Sequence, residues 1–146
     1  SQLDRFLMRL QLGYPDRRAE RELLMGRDRR ELTAALEPIL APEPLTRLQA
    51  AVNEVSASDA LLDYIQRILA YSREIPGVLY GLSPRAGLGL LRASRAWALM
   101  EGRDHVLPED LQAILPSVVE HRLVDSHHNR QELLSQQILR EVPVLE

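Results

Sequence analysis

The chain has 146 residues, of which 45% are hydrophobic and only 4% aromatic, and its formal net charge is −3. This length suits one domain, and a core built mainly from leucine and alanine favours helices over strands. The weakly acidic charge balance argues against a general nucleic-acid or membrane-surface role, and no apolar run approaches the length of a membrane span.

All 18 cationic residues are arginine, and the chain contains neither lysine nor cysteine. Without cysteine there is no disulfide or thiol chemistry, which suits a cytoplasmic protein. Without lysine there is no P-loop, because that motif places a lysine on the β- and γ-phosphates of a nucleotide. No apolar strand ends in the Asp-Glu pair that would hold Mg²⁺. The sequence therefore excludes a complete nucleotide hydrolase.

The first predicted element is a β-strand over Met8–Leu12, where apolar and polar residues alternate before the breakers Gly13 and Pro15. A single strand needs a partner, so we expect it to belong to the sheet of another domain that this sequence does not contain. Asp16 then caps a predicted helix that runs to about Met25.

The rest of the chain is predicted to be helical, because apolar residues recur at helical spacing behind good capping residues. A proline-rich stretch before these helices indicates a linker with short turns. The strongest apolar stripe in the sequence follows the cap Ser58. In chain order the predicted helices are Pro44–Val55, the segment after Ser58, Ser83–Glu101, a short segment from Pro108, and Gln131–Glu141.

The helix over Ser83–Glu101 is predicted to end at Gly102, a favourable residue just beyond a helix. Gly87 and Gly89 each cost this helix about 1 kcal/mol relative to alanine, which indicates the close approach of a neighbouring backbone. One row of its residues is expected to be buried. That row consists of Leu90, Ala93, Trp97 and Met100.

Arg85 lies in the first turn of this helix, where the helix dipole disfavours a cation by about 0.3–1 kcal/mol. The simplest interpretation is an ordinary exposed arginine. The functional alternative is an anion sensor, because a guanidinium beside free backbone N–H groups makes a strong phosphate site. Arg92 lies two turns further along nearly the same face and would broaden the positive patch.

Two other motifs are less well supported as functional sites. His127 and His128 are adjacent in a polar loop, a spacing that metal ligands on a helix do not use, so no metal site is predicted. Val106–Leu123 can be interpreted as part of a helix-turn-helix. However, its second half contains Glu120 and only one arginine, Arg122, so its attraction to DNA phosphates would be weak.

Several motifs, taken together and in order, closely resemble the C-terminal portion of MoxR-type AAA+ ATPases over nearly the whole chain. The specific ones are LDRF at Leu3–Phe6, SPRA at Ser83–Ala86 and GRDHVLPEDL at Gly102–Leu111. The resemblance implies an all-α fold, a small helical lid bundle. Residues 15–146 would form this lid, and residues 1–14 would be a remnant of the ATPase core that ends with the predicted strand.

The same resemblance implies roles for two residues. Arg5 would be the arginine finger that reaches the γ-phosphate held by a neighbouring subunit, and Arg85 would be sensor 2, directed at the same phosphate. An arginine finger is worth about 10³–10⁵ in rate. ATP and Mg²⁺ would be bound by the missing core, and none is expected to be held by this chain alone, which should therefore be inactive.

The resemblance also implies partners. The parent protein would be a homo-oligomer, a hexameric ring in the cytoplasm, that hydrolyses ATP. It would act as a chaperone-like maturation factor for protein clients such as von Willebrand factor A-domain proteins. Neither a nucleic acid nor a membrane span is expected.

Two departures from the family pattern predict local differences. Leu107 stands where Thr or Ser usually caps the helix from Pro108, which predicts a looser helix start. Gly87 and Gly89 replace residues that are more often Ser or Ala, which predicts a pliable beginning of the preceding helix.

The residues leave two other function classes open, a helical protein-interaction module without a nucleotide role and a helix-turn-helix DNA binder. Burial of Arg5 and Arg85 in ion pairs with the chain's own carboxylates would favour the interaction module. Their exposure beside the first residues of the chain would favour the ATPase. DNA binding would need a continuous basic face around Arg85, Arg92 and Arg95.

Overall fold

A computed structural model describes residues 3–26, 33–126 and 132–145. These residues form six α-helices of at least eight residues, a two-stranded sheet and a 3₁₀ turn at Leu3–Arg5. The fold is helical, as predicted. The helices are α1 (Arg17–Met25), α2 (Pro42–Glu54), α3 (Asp59–Glu74), α4 (Pro84–Met100), α5 (Pro108–Val119) and α6 (Leu134–Glu141), and the strands are β1 (Val78–Tyr80) and β2 (Val124–Asp125).

Helix α4 is the centre of the bundle. It packs on α2, α3 and α5, and its contact with α5 is the most extensive between any two elements. The buried hydrophobic residues run from Val55 to Val142 and include Tyr64, Ile68 and Leu90, which are fully enclosed. No residue is buried in the described part of residues 3–54. The core therefore belongs to the segment that begins at Val55.

Three helices start at the predicted caps. Side-chain oxygens of Asp16, Ser58 and Ser83 each accept a hydrogen bond from the backbone N–H three residues further on, at 2.8–3.2 Å. Gly102 follows the end of α4 with a φ of 75°, a left-handed conformation that glycine adopts without strain. Local capping thus sets the starts of α1, α3 and α4.

Two helix starts differ from the predictions. Helix α2 begins at Pro42 rather than Pro44, because a proline is equally suitable in the first turn at either position. Helix α6 begins at Leu134, and the predicted start at Gln131 lies outside the described residues. Both helices form over most of the predicted segments.

The predicted strand segment Met8–Leu12 pairs with no strand among the described residues. It lies against the end of α5, where the Arg9 N–H donates to the Ser117 carbonyl at 2.8 Å. A strand needs a neighbouring backbone with a row of free groups, and a helix does not offer one. Pairing with the sheet of another domain stays a prediction.

Half of the predicted buried row of α4 is wrong. Leu90 and Ala93 are buried, but Trp97 is 39% exposed and Met100 is 81% exposed. Met100 lies about 80° around the helix axis from Leu90, and tryptophan is rarely enclosed completely because of its size. The observed buried face is Ala86, Gly87, Leu90, Ala93, Ser94 and Ala98.

Gly87 in α4 marks a close approach to a side chain, whereas Gly89 marks none. Neither glycine lies against the neighbouring backbone that we expected. A Cβ at Gly87 would lie 2.8 Å from a methyl of Leu69, whereas at Gly89 the nearest atom would be an ordinary 3.4 Å away. The close backbone approach occurs at Gly81, where a Cβ would lie 2.7 Å from the Cα of Arg73. The requirement for glycine is therefore strict at Gly81 and weak at Gly89.

The start of α5 is held by a charged pair, not by its Leu107 cap. The Asp110 carboxylate accepts from the Leu107 N–H at 2.8 Å and from both terminal nitrogens of Arg103 at 2.5 Å. The Arg103 guanidinium keeps the pKa of Asp110 below its ordinary value, and the Leu107 N–H acts in the same direction against the opposing effect of burial. The looser helix start expected from Leu107 is thus counteracted.

The small sheet lies against α3 through β1. Strands β1 and β2 are antiparallel, with Val78 opposite Asp125 and Tyr80 opposite Val124. Across the residues that the structure describes, no helix combines the length and the apolar character needed to cross a membrane.

We expect opposite effects from two alanine substitutions. Gly89→Ala should stabilise the protein by about 0.5–1 kcal/mol, because the site has room for a Cβ and the helix gains propensity. Gly81→Ala should destabilise it by roughly 1–3 kcal/mol, because the added atom overlaps the Arg73 backbone. Urea unfolding measures both free energies, and shifts of the same sign would contradict the packing described here.

Asp110→Asn should lower the free energy of unfolding at pH 7 by about 2 kcal/mol, because the Arg103 guanidinium loses its carboxylate. The folded-state pKa of Asp110 is depressed, so the stabilisation is complete above the ordinary value and disappears as the pH falls through the folded-state pKa. The difference between wild type and variant should therefore close under acid. Urea titrations between pH 7 and 2.5 measure it, with exposed Asp63→Asn as the control. A difference that widens with acid would contradict this account.

Candidate phosphate-binding site

Five arginines line one open cavity of about 540 Å³, whose walls come from the N-terminal segment, α2, α4 and the turn after α5. They are Arg5, Arg85, Arg92, Arg95 and Arg122. The structure therefore brings together Arg5 and Arg85, the two site residues predicted from sequence, although they are far apart in the chain. Three leucines, from the N-terminal segment and α4, form apolar parts of the wall.

Three of the five arginines come from α4. Arg85 lies in its first turn, and Arg92 follows seven residues later, about two turns and 10 Å along the axis. Arg95 lies one turn beyond Arg92 and is partly buried, and its Nε is enclosed with no hydrogen-bond partner among the described residues. One helix therefore presents a row of guanidinium groups along the cavity.

Arg5 is positioned through its neighbour Asp4. The Asp4 carboxylate accepts from the Ser83 hydroxyl at 3.1 and 3.2 Å and from the Arg122 Nε at 3.2 Å. Ser83 is also the N-cap of α4, so the carboxylate lies at the helix end that favours negative charge. Side-chain hydrogen bonds thus join the turn that carries Arg5 to the turn that carries Arg85.

Arg122 is the site residue whose role the sequence analysis missed. Its side chain is 4% exposed. Besides binding Asp4, it donates to the carbonyls of Phe6 at 2.5 Å, Leu7 at 3.0 Å and Val118. It therefore fastens the N-terminal segment to the end of α5. Glu120 and His121 directly precede it, so no pattern in the sequence indicated that this arginine is buried.

His121 supports the same attachment. Its Nε2 lies 3.2 Å from the Phe6 carbonyl, and because a carbonyl oxygen only accepts, this nitrogen carries the proton. In the described part of the chain, no three His, Asp or Glu side chains converge as metal ligands, and the His127 and His128 pair lies outside it. His121 is thus part of the packing between the N-terminal segment and the bundle.

Four of the cavity arginines have no counter-charge in the part of the chain that the structure describes. Arg5, Arg85 and Arg92 are exposed, and neither they nor Arg95 form an ion pair within residues 3–26, 33–126 and 132–145. The interaction-module alternative expected Arg5 and Arg85 to be buried against the chain's own carboxylates. The geometry instead leaves a concave surface of uncompensated positive charge, which suits an anion with several negative groups.

The helix-turn-helix interpretation of Val106–Leu123 is wrong. Its first half is α5, but its second half is a turn that leads into β2, and His121 and Arg122 are buried there. The basic face around Arg85, Arg92 and Arg95 does exist, but it lines a concavity. Reading of a DNA groove requires a protruding helix or ribbon, which this face does not provide.

Comparison with known proteins agrees with this fold. Residues 71–142 match the AAA lid domain family. The chain is 34% identical to Chaperone MoxR1 of Mycobacterium tuberculosis over 150 residues, which cover 95% of this chain and 39% of that protein. It is 32% identical to Protein MoxR of Methylorubrum extorquens, with 82% of this chain and 40% of that protein covered. The chain belongs to the MoxR family.

The MoxR lid domain also has a structural neighbour. It superimposes on the crystal structure of a candidate ATPase from Cytophaga hutchinsonii with a TM-score of 0.80 and 28% identity, covering 97% of this chain and 47% of that one. The chain spans about two fifths of the length of the curated relatives that it matches. The family and the helical lid fold predicted from sequence are confirmed.

Arg122→Gln should release the N-terminal segment and destabilise the protein by about 2 kcal/mol, because the Asp4 carboxylate and three backbone carbonyls each lose a hydrogen bond from the guanidinium. Hydrogen exchange of the Arg9 amide, which is bonded to the Ser117 carbonyl, measures the release. Arg140→Gln is the control, since its ion pairs are half exposed and should contribute little. Unchanged Arg9 exchange in Arg122→Gln would contradict this role.

Proposed function

We propose that this lid domain completes the nucleotide site of an AAA+ ATPase, with Arg5 as the arginine finger and Arg85 as sensor 2. The observation that supports this proposal most directly is that both guanidinium groups line one cavity without a carboxylate partner among the described residues. A planar guanidinium binds phosphate oxygens through paired, charge-assisted hydrogen bonds. The two residues therefore meet the same terminal phosphate.

The cavity fits the phosphate end of a nucleotide and not its metal ion. Its described wall contains five arginines and no Asp or Glu, so it offers no carboxylate ligand to Mg²⁺ and repels a cation. A P-loop lysine and the acidic metal ligand must come from a core domain outside this sequence, which has no lysine. This chain supplies cations that stabilise the charge developing on the transferred phosphoryl group.

The division of residues between core and lid follows from the same proposal. Residues 1–14 belong to the edge of the ATPase core, and residues 15–146 form the lid. Leu12 and Tyr14 are 99% and 100% exposed, and α1 contains no buried residue. Apolar surface of this kind is normally covered in an assembled protein, which supports packing of the N-terminal segment and α1 on a core domain.

The whole protein is proposed to form a hexameric ring in the cytoplasm, since an arginine finger acts on a nucleotide that another subunit holds. Rigid-body movement of the lid would couple hydrolysis to rearrangement of this ring. The ring would act on protein clients as a chaperone-like maturation factor. The chaperone name of the Mycobacterium tuberculosis relative supports this part of the proposal. Von Willebrand factor A-domain proteins are the proposed client class.

In the full-length protein, Arg5→Gln and Arg85→Gln should each reduce ATP turnover by about 10³-fold or more, because each removes a cation from the transferred phosphoryl group. Arg47→Gln is the matched control, an exposed arginine on α2 outside the cavity, and should leave turnover unchanged. Residues 1–146 alone should show no turnover. Parental turnover in the double Arg5/Arg85 variant would contradict the proposed function.

A further inference from the structure

The cavity holds more positive charge than a finger and a sensor require. Beyond Arg5 and Arg85, it is lined by Arg92 and Arg95, to which nothing in the proposed function gives a role. Arg122 is neutralised by Asp4. Four guanidinium groups therefore remain around one concavity without an ion pair within the described part of the chain.

We propose that Arg92 and Arg95 extend the site along α4 into a polyphosphate-binding cavity, so that this chain by itself distinguishes a triphosphate from shorter phosphates. The inference rests on the proposed function, since it gives the same cavity a longer ligand. It assigns Arg92 and Arg95 to the remainder of the phosphate chain and leaves the terminal phosphate to Arg5 and Arg85.

The spacing along α4 supports an elongated ligand. Arg85 and Arg92 lie on nearly the same side of the helix about 10 Å apart along its axis, and Arg95 lies about 5 Å further. A single phosphate group can reach only one end of such a row. A chain of phosphoryl groups can contact guanidinium groups at both ends, because each arginine side chain spans several ångströms.

The walls of the cavity suit an anion. Leu7, Leu88 and Leu91 line it together with the arginines and offer no charged group that would compete with a phosphate for the guanidinium groups. The volume of about 540 Å³ is in the usual range for a small-molecule ligand. Arg95 contributes from a partly buried position, so less side-chain freedom is lost when it binds.

Like charges in one concavity repel one another, and each added phosphoryl group relieves more of this repulsion. Affinity should therefore rise with the number of phosphoryl groups and should not depend on a base or a sugar. This dependence on length separates a polyphosphate site from a single-phosphate site around Arg85. It also separates such a site from a surface that pairs with carboxylates of another polypeptide.

The test is calorimetric titration of the 146-residue chain with inorganic phosphate, pyrophosphate and tripolyphosphate at equal ionic strength. Tripolyphosphate should bind at least about tenfold more tightly than pyrophosphate, and phosphate most weakly. Arg92→Gln and Arg95→Gln should each weaken tripolyphosphate binding about tenfold while leaving phosphate binding unchanged. Arg85→Gln should weaken all three. Arg47→Gln, which removes one positive charge outside the cavity, is the control.

Arg92 is exposed and unpaired among the described residues, so its substitution should not affect folding, and thermal unfolding of each variant checks this. Equal affinity for the three anions, or an equal loss in Arg47→Gln and Arg92→Gln, would overturn the inference. So would the absence of tripolyphosphate binding, since the arginines would then serve carboxylates of another polypeptide. If ATP turnover of the full-length protein still depended on Arg5 and Arg85 in that case, the proposed function would stand without the inference.

Discussion

The enclosed pairing of Arg122 with Asp4 joins two segments that are 118 residues apart in the chain. Removal of a guanidinium from water is costly unless every N–H group finds an acceptor. Here the acceptors are the Asp4 carboxylate and backbone carbonyls of the N-terminal segment and α5. Arg122 can be satisfied only when the N-terminal segment is in place, so its burial specifies where that segment lies. The cavity exists because of this constraint.

Asp4 also determines which cations remain available. Its carboxylate neutralises Arg122 and accepts the Ser83 hydroxyl, and it places a negative charge near the start of α4. That charge partly offsets the unfavourable position of Arg85 in the first turn of a helix. No equivalent carboxylate accompanies Arg92 or Arg95 in the described residues. The Asp4 carboxylate therefore serves the structure of the N-terminal attachment. Arg92 and Arg95 have no carboxylate partner among the described residues, and a bound anion would stabilise the protein in this state.

Local signals in the sequence predicted the helices. Features that depend on contacts between distant parts of the chain could not be predicted in this way. The caps Asp16, Ser58 and Ser83 act within three residues, so their effect is visible in the sequence. The motif around Arg5 and the one around Arg85 could each be identified, but their meeting in one cavity depends on Arg122. An arginine in a short polar turn after a helix has no sequence feature that indicates complete enclosure. The strand at Met8–Leu12 stays a prediction for a related reason, because alternation indicates the two faces of a strand and not the partner that pairs with it.

The joined turns have a mechanical consequence for the proposed ATPase. Asp4 is next to Arg5, and Ser83 is two residues before Arg85, so the hydrogen bonds between Asp4 and Ser83 hold both guanidinium groups in one unit. A finger and a sensor on separate flexible segments would reach a phosphate independently. Joined by these hydrogen bonds, they reach a phosphate together where the core edge meets the lid, and a nucleotide would bias this junction between two positions by the sum of both contacts. A larger difference in binding free energy between the two positions gives a larger shift in their populations. The attachment that positions the site would thus also couple the movement of the lid to the edge of the core.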